Sequence, residues 1–339
     1  MAQSFVFLGA PEVGEALARN LLEAGYQVAG GIDSADVVIT LCSRQSQLED
    51  VYYEAGGVIA TAMPGSYVLD LSPATPAFAK ELAALATVND LHAVEAPLVV
   101  RDCTAKHAFA NPANLIALAA GDEADIETLS PILHTIASTV HVCGASGQGQ
   151  LAKCAITVQT CAQLAAFMEA DALCRAHGAK EASFSIAEMA ANDLLVAPGI
   201  RNLVGALRSR DFGEACGYSI ELLWGELESA LAAADDQDLI LPQAESALYL
   251  FELLATIGGA GMGPAALQLV YCDEETVAEH GLDWKRAEEA YQMMNFVDDD
   301  YDEYDDFDDY DDDYDDYDDD DSDGFGMGFG TGFNDWSSN

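Results

Sequence analysis

Gly144-Ala-Ser-Gly-Gln-Gly-Gln-Leu-Ala-Lys153-Cys-Ala-Ile-Thr157 runs a glycine-rich turn straight into an apolar helix and sets one lysine on that helix's first turns. The chain changes character on either side of it. Before it, short apolar runs alternate with helical patterns, which predicts a mostly parallel sheet with helices on both faces. After it, as far as about residue 295, apolar residues recur at helical spacing. The expected organisation is an α/β, doubly wound domain over residues 1–145 and an all-α domain over 146–296. A disordered tail is expected over 297–339. Read from the residues alone, Lys153 is either a surface lysine near a helix start or a reactive amine.

Composition narrows the partners. The formal charge is -46, and residues 298–323 hold 19 of the 59 acidic residues with no Lys or Arg. The rest of the chain is still acidic, so no basic patch is expected to neutralise nucleic-acid phosphates or anionic membrane surfaces. The eight cysteines form no C-x-x-C pair and no cluster with zinc-ligand spacing, so no metal site is expected. Several sit in apolar helical runs, as reduced thiols of a cytoplasmic protein do. The first residues, Met-Ala-Gln-Ser-Phe-Val-Phe-Leu-Gly9, lack the positive start of a signal peptide. No apolar stretch of membrane-spanning length lacks a better reading as a core helix.

The first strand–turn–helix unit carries Gly9-Ala-Pro-Glu-Val-Gly14. A Rossmann-type fold needs G-x-G-x-x-G here, so that backbone amides at the helix start can approach a pyrophosphate. The outer glycines Gly9 and Gly14 are present. Pro11 replaces the middle one and brings a ring without an N–H, and Glu12 adds negative charge beside Val13. A strand is expected over residues 26–32, and Asp33 follows 24 residues after Gly9. An acid there either holds the cofactor's ribose or simply makes a turn. The next strand, 35–41, begins almost at once, so a crossover helix is missing or the two strands are not parallel neighbours. Further strands are expected at 67–71, 91–95, 115–119 and 139–142, with an irregular stretch over 96–111. Helices are expected at 149–177, 184–196, 200–208, 217–234, 242–257, 263–271 and 283–295.

With these segments in hand, the chain over about residues 4–290 resembles the β-hydroxyacid dehydrogenase family. That family includes 3-hydroxyisobutyrate dehydrogenases, glyoxylate/succinic semialdehyde reductases and 6-phosphogluconate dehydrogenases. Phe7-Leu-Gly-Ala-Pro-Glu-Val-Gly14, Asp70-Leu-Ser-Pro-Ala-Thr-Pro76 and Glu95-Ala-Pro97 fall where its cofactor and substrate segments fall, and Gly147-x-Gly149-x-x-x-Lys153 matches its catalytic motif. The resemblance implies a nicotinamide cofactor, NAD or NADP, held by Gly9, Pro11, Glu12, Val13, Gly14, Asp33 and Ser72. It implies Lys153 as general acid/base, aided by Thr157, acting on a small hydroxy acid or aldehyde. It also implies substrate contacts from Val99, Val100, Arg101 and Gly147, and a homo-dimer or tetramer.

The departures fall on functional positions. Val99-Val100-Arg101 stands where the family has a carboxylate-gripping Ser-Gly-Gly, and Arg101 is either an anion partner in its place or a plain loop arginine. Ile156 and Thr157 replace paired asparagines, Gly225-Glu226 replaces a Lys-Asp pair, and Pro73 replaces a threonine. The tail is nearly pure Asp punctuated by Tyr301, Tyr304, Phe307, Tyr310, Tyr314 and Tyr317. It is either a solubiliser or an arm for a basic protein partner or divalent cations. Two functions follow: a divergent NAD(P)-dependent oxidoreductase, or a catalytically impaired dehydrogenase-shaped scaffold that recruits partners through its tail.

Overall fold

The computed structural model describes residues 3–105, 107–176, 206–207, 212–213 and 218–290. The chain divides into two units, Met1–Met293 and Met294–Asn339, and the second lies wholly outside the described residues. So do the helix expected over 184–196, most of that over 200–208, and the tail over 297–339.

Eight strands form one sheet in the order β2-β1-β3-β4-β5-β7-β6, with β8 paired to β7. The strands are β1 (Ser4–Gly9), β2 (Gln27–Val28), β3 (Val37–Leu41), β4 (Tyr67–Asp70), β5 (His92–Glu95), β6 (Leu98–Val100), β7 (Leu115–Gly121) and β8 (Thr139–Gly144). The first five are mutually parallel, and β7 turns antiparallel between β5 and β6. Every residue of β3 is buried, as its unbroken apolar run requires of a strand covered on both faces. Alternation divides its side chains. Val37, Ile39 and Leu41 enter one core with Leu17 and Leu21, while Val38 enters a second with Leu48, Val58 and Phe78.

Helices α1 (Pro11–Glu23), α2 (Gln45–Tyr53), α3 (Val58–Thr61), α4 (Pro76–Val88) and α5 (Glu123–Ile136) cover the sheet. Pro11 opens α1, where its fixed φ and missing N–H cost nothing. A Cβ on Gly14 would meet the Phe7 ring at 2.5 Å, so only glycine lets α1 lie this close to β1. Then come α6 (Gln148–Ala176), α7 (Ile220–Asp235), α8 (Pro242–Leu254), a 3-10 segment Pro264–Tyr271 and α9 (Glu274–Glu279). The architecture is thus a Rossmann-like sheet followed by a helical part. Helix α6 is long and apolar enough to cross a bilayer, but its inner face is core: Cys161, Leu164 and Met168 share a cluster with Leu223 and Phe251 of α7 and α8.

Two local expectations are corrected. The stretch 96–111 contains β6, paired antiparallel to β7 from Leu98↔Ala117 to Val100↔Leu115. The second strand spans Gln27–Val28 alone, and β2 and β3 flank β1 from opposite sides. No crossover helix is missing between neighbours, because they are not neighbours. Val28 and Val37 both lie level with Phe5, so the connection need only pass beneath the start of β1. It is tied there: the Ser4 amide and hydroxyl donate to Asp36 Oδ2 at 2.7 and 2.8 Å, and the Asp36 amide donates to Ser4 Oγ at 3.2 Å.

Candidate active site

The glycine turn is held to the sheet by one carboxylate. Glu95, the last residue of β5, accepts from the amides of Gly147 (2.9 Å), Gly149 (2.8 Å) and Gln150 (3.1 Å). These are unpaired donors at the start of α6, where the helix dipole also favours negative charge. Burial pushes the Glu95 carboxyl up to about 7, with the three amides pulling the other way. A Cβ on Gly149 would lie 2.4 Å from the Leu118 carbonyl oxygen, so the second glycine of the motif lets α6 start directly against β7. Gly147 has φ +92 and faces Pro76 and Lys80. It shapes the turn and does not line the cavity described next.

From that fixed start, Lys153 and Thr157 fall on one face of α6. Lys153 is only 4% exposed and Glu226, on α7, 3%. Lys153 Nζ lies 2.6 Å from Glu226 Oε1. The other carboxylate oxygen accepts from Thr157 Oγ1 at 3.3 Å and from the Tyr218 hydroxyl. The Tyr218 ring lies 5.7 Å from the ammonium, within cation–π range. Burial and the adjacent Glu226 hold the Tyr218 phenol well above its ordinary pKa, so it stays a donor.

Lys153, Thr157 and Tyr218 of this cluster line one wall of a cavity of about 110 Å³, and Val99, Val100 and Arg101 form another. The structure therefore brings together five residues singled out in the sequence: Lys153, Thr157, Val99, Val100 and Arg101. Ile156, Leu164, Leu223 and Pro264 make much of the remaining lining apolar. Arg101 is exposed and donates to Thr139 Oγ1 at 2.8 Å. The residue that sequence reasoning missed is Glu226. It was read as the place where a base had been lost, yet it supplies the lysine's counter-charge. Its position on the inward face of an apolar helix was the available signal.

Of the residues expected to hold a cofactor, Gly9–Gly14 and Ser72 lie at one end of the sheet and Asp33 at the other. At the top of β1, Gly9 has φ +108, and a Cβ there would lie 2.0 Å from the Leu41 carbonyl oxygen. The Ala10 amide donates to that same carbonyl at 2.8 Å. Pro11 has no amide to offer, which leaves those of Glu12 and Val13 at the start of α1. Ser72 is fully buried. Its hydroxyl accepts from the Cys42 amide and its carbonyl from Gln150 Nε2, both at 2.9 Å, so it braces the ends of β3 and β4. Asp33 sits on the 3-10 turn Ile32–Ser34 beneath the start of β1, at the opposite end of the sheet from Gly9. A nicotinamide dinucleotide thus fits these residues in one half only.

Helix α7 also closes onto the end of β3. A Cβ on Gly225 would lie 1.9 Å from the Ser43 carbonyl oxygen. Beside it, Arg44 donates to both Glu228 oxygens at 3.2 and 3.1 Å and stacks 3.7 Å over Trp224.

A sequence profile of the NAD-binding domain of 6-phosphogluconate dehydrogenase matches residues 29–144, a span that begins beyond the Gly9–Gly14 turn. The NAD-dependent L-serine dehydrogenase of Pseudomonas aeruginosa is 26% identical over 300 residues, covering 79% of this chain and 98% of its own. The 2-hydroxy-3-oxopropionate reductase of Escherichia coli is 24% identical over 289 residues, covering 77% and 94%. The 3-hydroxyisobutyrate dehydrogenase of Mycobacterium tuberculosis, solved with L-serine, superposes with a TM-score of 0.67 at 21% identity over 80% of this chain and all of that one. The likeness runs nearly the whole length of those relatives, and what the chain resembles over that length is the β-hydroxyacid dehydrogenase family of NAD(P)-dependent oxidoreductases.

Proposed function

We propose that the chain reduces a small, largely aliphatic carbonyl compound, with Lys153 as the proton donor. The observation that supports this most is the buried Lys153–Glu226 pair at the wall of the cavity bounded by Val99, Val100 and Arg101. Glu226 holds the Lys153 amine in place at 2.6 Å. In this proposal Lys153 gives the proton that a carbonyl oxygen needs as it becomes a hydroxyl. Thr157 and Tyr218 keep Glu226 hydrogen-bonded when the ammonium gives its proton up. A nicotinamide group, when bound, supplies the hydride.

The cavity sets the size of the substrate. At about 110 Å³ it suits a small compound. The two valines favour an aliphatic body over a carboxylate, and Arg101 at the exposed rim is a cation placed to meet an acid group. A screen of aldehydes and ketones of increasing length, followed through NADH and NADPH absorbance, tests this. Turnover of three- to five-carbon compounds that disappears for eight-carbon ones is expected; no turnover of any short carbonyl compound contradicts it.

A second reading draws on Gly225, which sets α7 directly on the end of β3. In it the chain is a dehydrogenase-shaped scaffold whose acidic, aromatic tail engages a basic partner. Deleting residues 298–339 would then abolish binding of a lysine-rich peptide at physiological salt. If the peptide binds the shortened chain equally well, this reading fails.

A further inference from the structure

A Rossmann-type fold binds a dinucleotide across two βαβαβ halves, with the pyrophosphate between them at the start of the first helix. On one side of β1 this chain has a complete half: β3, β4 and β5 run parallel, with α2, α3 and α4 in the connections. On the other side it has Gln27 and Val28 alone, level with Ser4 and Phe5 at the start of β1.

That second side is not a short version of the same structure. The chain leaves the sheet after Val28, and Ala29 makes one last bond to the Phe5 carbonyl. It then turns beneath β1 and is fastened by the bonds between Ser4 and Asp36. Among the described residues no strand lies beyond β2, and Val28 is 60% exposed. Gly9, where a pyrophosphate would lie, is five strand positions further up β1 than Ser4, or roughly 16 Å at about 3.3 Å per residue. Asp33 is held at the lower end, so its carboxylate cannot serve a ribose bound beside Gly9. The wall that would meet the adenosine, and the acid that would read its 2′ position, are both absent from the described residues at that end.

We infer that this chain recognises its nicotinamide cofactor through the mononucleotide half alone and draws nothing from the adenosine. The inference rests on the nicotinamide reading above. Reduced nicotinamide mononucleotide is then as good a ligand as the full dinucleotide. NAD and NADP, which differ only at the adenosine 2′ position, are not told apart.

The test is calorimetric titration of the full chain with reduced nicotinamide mononucleotide, NADH, NADPH and ADP-ribose. The expected result is three nicotinamide ligands with Kd values within about threefold of one another, and no displacement of NADH by millimolar ADP-ribose. NADH binding tenfold or more tightly than the mononucleotide overturns the inference and leaves the nicotinamide reading standing. So does a tenfold preference between NADH and NADPH, or displacement by ADP-ribose. Failure of all three nicotinamide ligands to bind at millimolar concentration overturns both. Asp33→Ala provides an independent arm: unchanged NADH affinity is expected, and a tenfold loss would show that Asp33 reads the cofactor after all.

Discussion

Lys153 Nζ and Glu226 Oε1 are 2.6 Å apart, on two different helices, with both side chains almost wholly buried. The pair joins α6 to α7 and places a charged amine at the wall of the cavity. Removing one partner of such a pair leaves an uncompensated buried charge, which costs about 3–5 kcal/mol, whereas removing both costs far less. Lys153→Met and Glu226→Gln should each destabilise strongly, and the double variant by clearly less than their sum. Urea unfolding of the four proteins closes the cycle; strict additivity would show that the pair does not interact.

Glu95 and Asp70 should make stability depend on pH. Burial raises Glu95 from 4.5 to about 7 and Asp70 from 3.8 to about 6. The folded state therefore holds their protons over a range where the unfolded state has released them. Stability they contribute is present in full below about pH 4 and is lost as pH rises through 6 and 7. Melting temperature followed from pH 4 to 8 should fall across that window, and Glu95→Gln should flatten the upper part of the fall. An unchanged slope in the variant would mean that Glu95 ionises alike in both states.

Gly225 allows contact between the α7 backbone and Ser43. A methyl there would lie 1.9 Å from a carbonyl oxygen, and backbone yields less readily than a side chain. Gly225→Ala should cost about 1–3 kcal/mol through forced displacement of α7. A midpoint in urea unmoved from the parent would show that α7 is not seated on β3 in solution.

Arg101 should discriminate between charged and neutral substrates. A hydrogen bond to a charged group contributes about 1.5–3 kcal/mol. Arg101→Met should raise KM for carboxylate-bearing carbonyl compounds tenfold or more and leave neutral aldehydes nearly unaffected. Equal losses on both would assign Arg101 to the fold, through its bond to Thr139.

Much of this was legible in the sequence because it is local. The turn at Gly144 and the apolar periodicity after it fix α6, observed at Gln148–Ala176 against an expected 149–177. The motif spacing alone sets Lys153 and Thr157 on one helix face. What was not legible depends on residues distant in sequence. β6 has three residues, too few for alternation to show, and exists because β7 offers it an edge. The short link between β2 and β3 left two alternatives open, a missing crossover helix or strands that are not neighbours, and only the sheet order, with β1 between them, decides for the second. Ser72 and Asp33 fell at positions where cofactor ligands are found in such folds. One is a fully buried brace, and the other was carried to the far end of the sheet. Glu226 became meaningful only once α7 was seen to pack on α6.

The role of Lys153 as proton donor is measured most directly in a single turnover. Protein premixed with a reduced nicotinamide cofactor is mixed with a short aldehyde in a stopped-flow instrument, and cofactor oxidation is followed for the parent and for Lys153→Met. A general acid contributes about 10²- to 10⁴-fold, so the variant should slow by that much while binding the cofactor as before. Oxidation at the parent rate in a folded Lys153→Met protein would contradict the account.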